Sequence, residues 1–183
     1  MIGSCLNSLG KYQQAIGYFE QQLNITKELL DRESEGGVLG NIGFSYKGLG
    51  EYQRAIDYFE QWLVISREVN NRIWESNSLC ALGDSYTTLG QYRNATEFYE
   101  QRLPVVRELN DKAGEAYTLG CLGFNKHSLG EYQSSIEVYL LWLAITREFG
   151  NQVDEGQALQ SIAGGYFGLK QYLKAAEFYQ QAL

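Results

Sequence analysis

The residues of this chain that could do chemistry are few, and their spacing argues against a catalytic or metal site. His127 is the single histidine, and a lone histidine without a ligand set at recognisable spacing rarely binds a metal. Cys5, Cys80 and Cys121 lie far apart and offer no second ligand. Glutamate recurs every forty residues, which is typical of helix capping and not of a paired acid and base. The sequence also lacks a phosphate-binding loop and a nucleophile elbow, so it predicts no enzyme, no cofactor and no metal site.

The overall composition narrows the class of protein. The 183 residues are 44% apolar and 20% charged, which is enough apolar content for a buried core and too much for disorder. The formal net charge of −7 argues against nucleic acid and membrane as partners, because both need clustered Lys and Arg. No apolar run is long enough for a membrane span. The odd, sparse set of cysteines indicates reduced thiols, and we expect an intracellular, cytoplasmic protein.

A period of forty residues organises the chain. The tetrad Leu-Gly-x-Tyr begins at Leu9, Leu49, Leu89 and Leu129, and it returns in altered form at Leu169. Self-similarity at a fixed period of this size is typical of a stacked array, in which each repeat buries its apolar face against its neighbours. The sequence therefore predicts a helical repeat array, and such arrays mostly hold other proteins.

Polar residues at one register mark the start of the first helix in each repeat. In the unit 31–70, Asp31 can accept hydrogen bonds from the free N–H groups of a first helical turn. The residues at the same register are Asn71, Asp111 and Asn151. A carboxylate four residues later favours the positive end of the helix dipole. These carboxylates are Glu35, Glu75, Glu115 and Glu155.

Apolar residues at helical spacing predict the buried faces of both helices. The first helix carries Leu39, Ile42 and Tyr46 and is predicted to end at Gly50, where glycine suits a left-handed cap. The second helix carries a longer stripe, formed by Tyr52, Ala55, Ile56, Phe59, Leu63 and Ile65. A recurring glycine is expected to let two helices approach closely. It stands at Gly43, Gly83 and Gly123.

These patterns resemble the tetratricopeptide repeat. The residues that match its signature in one unit are Leu39, Ile42, Gly43, Tyr46, Gly50, Tyr52, Ala55, Phe59 and Leu63, and the match repeats along the chain. The resemblance implies an all-α, right-handed superhelical solenoid of antiparallel helix pairs with about four and a half repeats. The forty-residue variant resembles that of the Leu-Gly-Asn spindle adaptors and of bacterial, especially cyanobacterial, multidomain proteins.

The period also predicts the domain organisation. We expect a single solenoid over 1–183, with full repeats at 31–70, 71–110 and 111–150 and partial repeats at 1–30 and 151–183. Neither end has a capping helix with a polar outer face, so we expect an excerpt of a longer protein.

The resemblance implies a protein-interaction scaffold that binds a peptide segment or helix in a concave groove, as a recognition or regulatory module of a larger intracellular protein. Two alternatives stay open. Uncapped ends would favour head-to-tail self-association, because contact between chains would cover their apolar faces. Similar arrays also precede a caspase-like peptidase domain or a nucleotide-binding switch, which this array would then regulate.

The family's groove positions can be transferred to this chain. They fall on Phe44, Lys47, Asp84, Thr87, Tyr117, Phe124, His127 and Phe167. The spindle adaptors tend to have asparagine at three of these positions, and its absence here argues against their way of holding a peptide backbone. The aromatic residues favour a protein or peptide ligand with apolar anchors. The alternative that some of these rings pack between repeats stays open.

Two features of the second helices give further expectations. Trp62 and Trp142 share a register with Arg102, and a position that accepts both residue types is expected to be partly exposed. The two rings would form a second contact patch or cover neighbouring helices. Pro104 lies midway along a second helix, where it removes one backbone hydrogen bond, and we expect a local bend there without a break.

Overall fold

The structure is a succession of α-helices joined by short turns. The computed structural model describes residues 2–182, and no strand occurs within them. The helices are α1 (Ile2–Ser8), α2 (Tyr12–Glu28), α3 (Arg32–Gly48), α4 (Tyr52–Glu68), α5 (Arg72–Thr88), α6 (Tyr92–Glu108), α7 (Lys112–Ser128), α8 (Tyr132–Glu148), α9 (Gln152–Gly168) and α10 (Tyr172–Gln181). The starts of α3, α5, α7 and α9 are forty residues apart. The predicted all-α repeat array, with two helices in each forty residues, is confirmed.

The chain forms two compact units, Met1–Gly90 and Gln91–Leu183. In the first unit α1 to α5 pack in chain order, each helix against the next, and α6 to α10 do the same in the second unit. The expectation of a single solenoid over 1–183, with its repeat boundaries, stays a prediction.

Each unit has an apolar core where the predicted stripes meet. In the first unit the apolar stripes of α3 and α4 are buried, as the period predicts. Their buried residues include Leu39, Ile42, Ala55, Ile56 and Phe59. In the second unit one cluster joins α8 and α9, through Ile136, Tyr139, Leu143, Ala158, Leu159 and Ile162. Burial of these side chains is the main stabilising term, at about 25 cal/mol for each Å² of apolar surface removed from water.

The predicted N-caps of the first helices are confirmed. Each capping side chain accepts a hydrogen bond from the amide three residues later, so a donor that the helix leaves free finds a partner. The pairs are Asp31 with Ser34 at 3.0 Å, Asn71 with Trp74 at 3.0 Å, Asp111 with Gly114 at 2.8 Å and Asn151 with Asp154 at 3.2 Å.

Every first helix is closed by a residue in the left-handed conformation. After α3, the amide of Gly50 donates to the carbonyl of Lys47 and the amide of Glu51 to that of Tyr46, both at 3.0 Å. Glycine holds this register, with φ between +71° and +77°, at Gly10, Gly50, Gly90 and Gly130. After α9 the residue at this register is Lys170, with φ +61°. This conformation costs a residue with a Cβ roughly 1–2 kcal/mol, so Lys170 is a strained copy of a glycine turn.

The expected close approach of helices at the recurring glycine is also confirmed. A Cβ built on Gly43 would lie 2.5 Å from Cε1 of Phe59 on α4, so only glycine lets the ring rest on the backbone of α3. Gly123 meets the ring of Tyr139 on α8 in the same way. The aromatic side chain of the second helix therefore sets the distance between the two helices.

Pro104 lies inside α6, which continues as one helix from Tyr92 to Glu108. Proline has no N–H to donate to the carbonyl of Glu100, but its ring is exposed and displaces no core residue. The expectation that the helix does not break is confirmed, and the local bend stays a prediction.

The turn residues predict a stabilising substitution. Lys170→Gly should relieve the left-handed strain in the folded state. Glycine also has more conformational freedom in the unfolded chain, which offsets part of this effect, so we expect a net stabilisation of roughly 0.5–1 kcal/mol. The free energy of unfolding in urea measures the effect. The matched control is Gly130→Lys, which should lose stability at the same register. A loss of stability in Lys170→Gly would contradict this account of the turn.

Two glycines in helices predict opposite effects of the same substitution. Gly43→Ala should destabilise the protein by roughly 1–3 kcal/mol, because the added methyl meets the ring of Phe59. Gly17→Ala in α2 has open space around the new methyl and should stabilise by about 0.5–1 kcal/mol through helix propensity alone. Thermal unfolding of both variants tests this, and a shift of equal sign in the two would argue against close packing at Gly43.

Candidate functional site

In the first unit, the predicted groove residues are drawn partly into internal contacts. Phe44 rests edge-on against Phe59 and Trp62, with ring centroids 5.0 and 5.9 Å away. Lys47 on α3 forms an ion pair with Asp84 on α5, with Nζ and Oδ2 2.9 Å apart. Thr87 on α5 is half-buried. The charges that the sequence places here therefore hold α3 and α5 together.

In the second unit, the predicted groove residues lie on α7 and α9, and each is supported from one side. Phe124 contacts the ring of Tyr92, His127 that of Tyr132 and Phe167 that of Tyr172, all edge-on. The guanidinium of Arg102 lies 5.7 Å from the ring centroid of Tyr117. The three aromatic residues among them remain between 48% and 60% exposed. One edge of these rings therefore packs between helices and the other faces solvent, and their role as anchors for a ligand stays a prediction.

A large pocket lies between α7, α8 and α9. It holds about 680 Å³ and is mostly apolar, with three aromatic walls and one charged residue. Its lining residues are Ala113, Ala116, Tyr117, Gly120, Cys121, Trp142, Thr146, Phe149, Asn151, Asp154 and Gln157. A smaller pocket of about 390 Å³ shares Gly120, Trp142 and Gln157 with it and is also lined by Phe124. The structure thus brings Tyr117 and Phe124 to this site, while His127 and Phe167 line neither pocket.

The first unit shows why this pocket is open. There, the ring of Trp74 lies over two glycines of α3, 3.1 Å from a Cβ built on Gly36 and 3.7 Å from one built on Gly37. The residue forty positions after Trp74 is Gly114, and the next is Asp154. At the start of α9 the short carboxylate of Asp154 stands where α5 has an indole, and the space beside α7 remains unfilled. A small pocket of the first unit, beside Phe44 and Trp62, corresponds to the pocket beside Phe124 and holds about 170 Å³, against about 390 Å³ there.

The expected partial exposure of the tryptophan register is wrong for two of its members. Trp62 and Arg102 are each 6% exposed. The register faces a neighbouring first helix, and the ring of Trp62 lies 3.0 Å from a Cβ built on Gly40, so the glycine makes room for it. The guanidinium of Arg102 is buried because Nη1 donates to Oγ1 of Thr118 at 2.9 Å. Trp62 therefore covers a neighbouring helix and forms no outer contact patch.

Trp142, the third member of this register, has a different surrounding. It is half-buried, and its ring lies 3.5 Å from a Cβ built on Gly120, against 3.0 Å for the equivalent pair in the first unit. One face of the ring is therefore left to the pocket. The sequence left open an outer contact patch or the cover of a neighbouring helix for this ring, and in the structure it forms a wall of the pocket.

Glutamates fix the first turns of the two helices that flank the pocket, and the one in α7 is buried while the one in α9 is half-buried. In α7, Glu115 accepts from Nε of Arg107 at 2.6 Å and from Nζ of Lys112 at 3.0 Å. Burial raises the pKa of Glu115, but the hydrogen bonds from both cations outweigh it and hold the pKa below its ordinary value of 4.5. In α9, Glu155 accepts from Nε of Arg147 at 2.7 Å. The repeated arginine at the end of each second helix was the sequence signal for these pairs.

The candidates for metal or thiol chemistry remain separate in the fold. Within residues 2–182, no group of three or more His, Cys, Asp or Glu side chains is placed to hold a metal ion. Cys5, Cys80 and Cys121 form no disulfide. In that same part of the chain, no helix is both long and apolar enough to cross a membrane.

These features define the class of protein as an all-α array of repeated helix pairs whose surface pockets lie between successive helices. A family model described as tetratricopeptide repeat matches residues 1–61 and 34–108, together more than half of the chain. The chain belongs to the tetratricopeptide repeat family. The particular forty-residue variant that the sequence suggests stays a prediction.

Solved structures share this fold at low sequence identity. BtubC from P. vanneervenii has a TM-score of 0.84 and 18% identity, over 98% of this chain and 75% of that one. The kinesin light chain-like repeats of Podosopora anserina have a TM-score of 0.81 and 19% identity, over 99% and 90%. Aspartyl phosphate phosphatase F from Bacillus subtilis has a TM-score of 0.76 and 19% identity, over 98% and 47%. No curated protein matches the chain.

Tetratricopeptide repeats are typically non-catalytic interaction modules, and the family match supports a protein-interaction repeat scaffold for this chain. The geometry of the pockets bears on which surface of this scaffold binds a partner and on the chemistry of that partner.

The glutamate pairs predict a specific pH dependence. Because the folded state lowers the pKa of Glu115, the unfolded state binds more protons near and below pH 4.5. The stabilisation is therefore present above that pH and is lost as the pH falls through the folded pKa. Glu115→Gln should flatten the fall in the free energy of unfolding with acid and lower stability at neutral pH. Urea unfolding across this range measures it.

Glu177→Gln provides the control, because Glu177 is an exposed glutamate of α10. It should keep the slope of the parent protein. If both variants and the parent show the same pH dependence, Glu115 does not contribute as described.

Proposed function

We propose that this chain binds a segment of another protein along α7 and α9, with apolar side chains of that segment entering the pocket between α7, α8 and α9. The observation that carries the proposal is the pocket itself, about 680 Å³ with walls formed by Tyr117, Trp142 and Phe149. Concave, mostly apolar pockets with a few polar groups are the usual sites for ligands and for anchor side chains.

The aromatic residues beside the pocket support binding because they are exposed and already held in place. Phe124 is 48% exposed, while its contact with Tyr92 restricts the ring. A side chain that is fixed before binding loses less conformational entropy when a partner covers it. Phe124 and Tyr117 lie seven residues apart on α7, so they face the same side of the helix and can contact one continuous segment.

The first unit offers a matched comparison. Phe44 stands at the register of Phe124 and is 41% exposed, but the pocket beside it holds about 170 Å³, against about 390 Å³ beside Phe124. Its polar neighbours, Lys47 and Asp84, are already paired with each other. We therefore assign the stronger anchor site to the second unit. The sparse, unbridged cysteines support the further proposal that the protein works in the cytoplasm.

The test is selection from a displayed library of random peptides on the purified protein. Clones enriched on the parent should bind Phe124→Ala at least about tenfold more weakly, because the variant loses an exposed aromatic contact in the smaller pocket, which shares the wall of Trp142 with the larger one. Phe44→Ala should keep most of the binding. Circular dichroism and thermal unfolding verify that both variants are folded.

Phe167→Ala tests how far the site extends, because Phe167 lies on α9 but lines neither pocket. Weaker binding in this variant would extend the site along α9. The proposal fails if no clone is enriched, or if enriched clones bind Phe124→Ala as well as the parent.

A further inference from the structure

We infer that the pocket between α7, α8 and α9 selects a protein segment in which an aromatic side chain stands next to a lysine or arginine. This inference rests on the proposed function and names the chemistry of the partner. It depends on the size of the pocket, on the charge of Asp154 and on the indole that fills the same place in the first unit.

The size of the pocket requires more than one side chain. A volume of about 680 Å³, with a second pocket of about 390 Å³ sharing the wall of Trp142, lies in the range that holds drug-sized ligands. A single aromatic side chain would leave part of this space to water. An aromatic anchor together with its neighbour in the chain fills it better.

The first unit indicates what kind of anchor fits. At the register of Asp154, α5 carries Trp74, whose ring packs on α3 beside Gly36. The chain therefore fills this place with its own indole in one unit and leaves it open in the other. In the open copy, the rings of Tyr117 and Trp142 can stack against an incoming aromatic side chain, an arrangement worth roughly 0.5–1.5 kcal/mol beyond burial in proteins generally.

The charge of the pocket indicates the neighbour of that anchor. Asp154 is the charged residue of the lining, and it forms no ion pair within the described residues 2–182. Its Oδ2 accepts a hydrogen bond from Nδ2 of Asn151 at 2.6 Å, which fixes the carboxylate without neutralising it. A cation on the partner would complement this charge, whereas an acidic segment would bring a second carboxylate to an apolar site.

The other charged side chains around the pocket do not neutralise the carboxylate of Asp154. Glu115 forms ion pairs with Arg107 and Lys112, and Glu155 forms one with Arg147. Arg102 is buried beneath Tyr117 with its guanidinium directed to Thr118, and it does not line the pocket. The chain as a whole carries −7, so its long-range field also attracts a basic segment. Exposed faces of Tyr117 and Trp142 add a preference for a cation over the rings.

The test repeats the peptide selection on three proteins: the parent, Asp154→Asn and Asp154→Trp. Asp154→Asn removes the charge and keeps an oxygen that can accept from Asn151. Asp154→Trp restores the residue type that fills the place in the first unit. Clones that bind the parent but not Asp154→Trp depend on the pocket, and these should be enriched in an aromatic residue next to Lys or Arg relative to the starting library.

The expected affinities follow from the two changes. A synthetic peptide of the leading pocket-dependent clone should bind Asp154→Asn roughly two- to fivefold more weakly, as for a partly exposed ion pair. It should bind Asp154→Trp at least about tenfold more weakly, because the anchor is excluded. Selection on Asp154→Asn should keep the aromatic preference and lose the basic one. Thermal unfolding confirms that both variants are folded.

The outcomes separate this inference from the proposed function. Pocket-dependent clones with no basic preference, or with the same preference on Asp154→Asn, overturn the inference and leave the proposed function standing. Clones that bind Asp154→Trp and Phe124→Ala as well as the parent overturn both. An absence of any enriched clone also overturns both.

Discussion

The structure depends on one contact that recurs in several helix pairs, among them α3–α4 and α7–α8: a glycine of the first helix against an aromatic ring of the second. At Gly43 the ring of Phe59 touches the backbone, and at Gly123 the ring of Tyr139 does the same. Glycine costs about 1 kcal/mol of helix propensity relative to alanine, and the close packing of a large apolar ring offsets that cost. With the distance between the helices set in this way, the caps and left-handed turns fix where each helix begins and ends.

Much of the fold could be predicted because its determinants are local and repeat every forty residues. The capping role of Asp31 and the left-handed turn at Gly50 depend on a few neighbouring atoms, so residue type is enough to infer them. The burial of Trp62 could not be inferred in this way, because it depends on Gly40, which lies in another helix and provides the space for the indole. The same reasoning from Trp and Arg at one register missed that Arg102 could be buried on a threonine hydroxyl.

The candidate site was predicted only in part for a similar reason. Tyr117 and Phe124 could be named from the family's groove positions, and both lie on α7. The pocket beside them is a space that no side chain fills, and no residue type signals a space. It becomes visible only when Asp154 is compared with Trp74, since the first unit shows what the same backbone position can contain. The ion pair of Lys47 with Asp84 likewise needs α3 and α5 both packed against α4 before two scattered charges become partners.

Some positions of the repeat keep one residue type and contribute to stability, whereas others vary from repeat to repeat and can contribute to recognition. Registers that keep one residue type in nearly every repeat, such as the glycines at φ near +75° (Lys170 being the exception) and the glutamates held by arginine, set the spacing and orientation of helices and leave little freedom for change. The register of Trp74 and Asp154 tolerates an indole, a carboxylate, a hydroxyl and a glycine because it lies at the start of a helix whose cap is already satisfied by the residue three positions earlier. At Trp74 and Asp154 the side chain changes the surface between helices while the N-cap of the helix stays in place. A repeat array can therefore acquire a binding pocket by omitting one large side chain, and the chemistry of the residue that replaces it then determines which partner the pocket accepts.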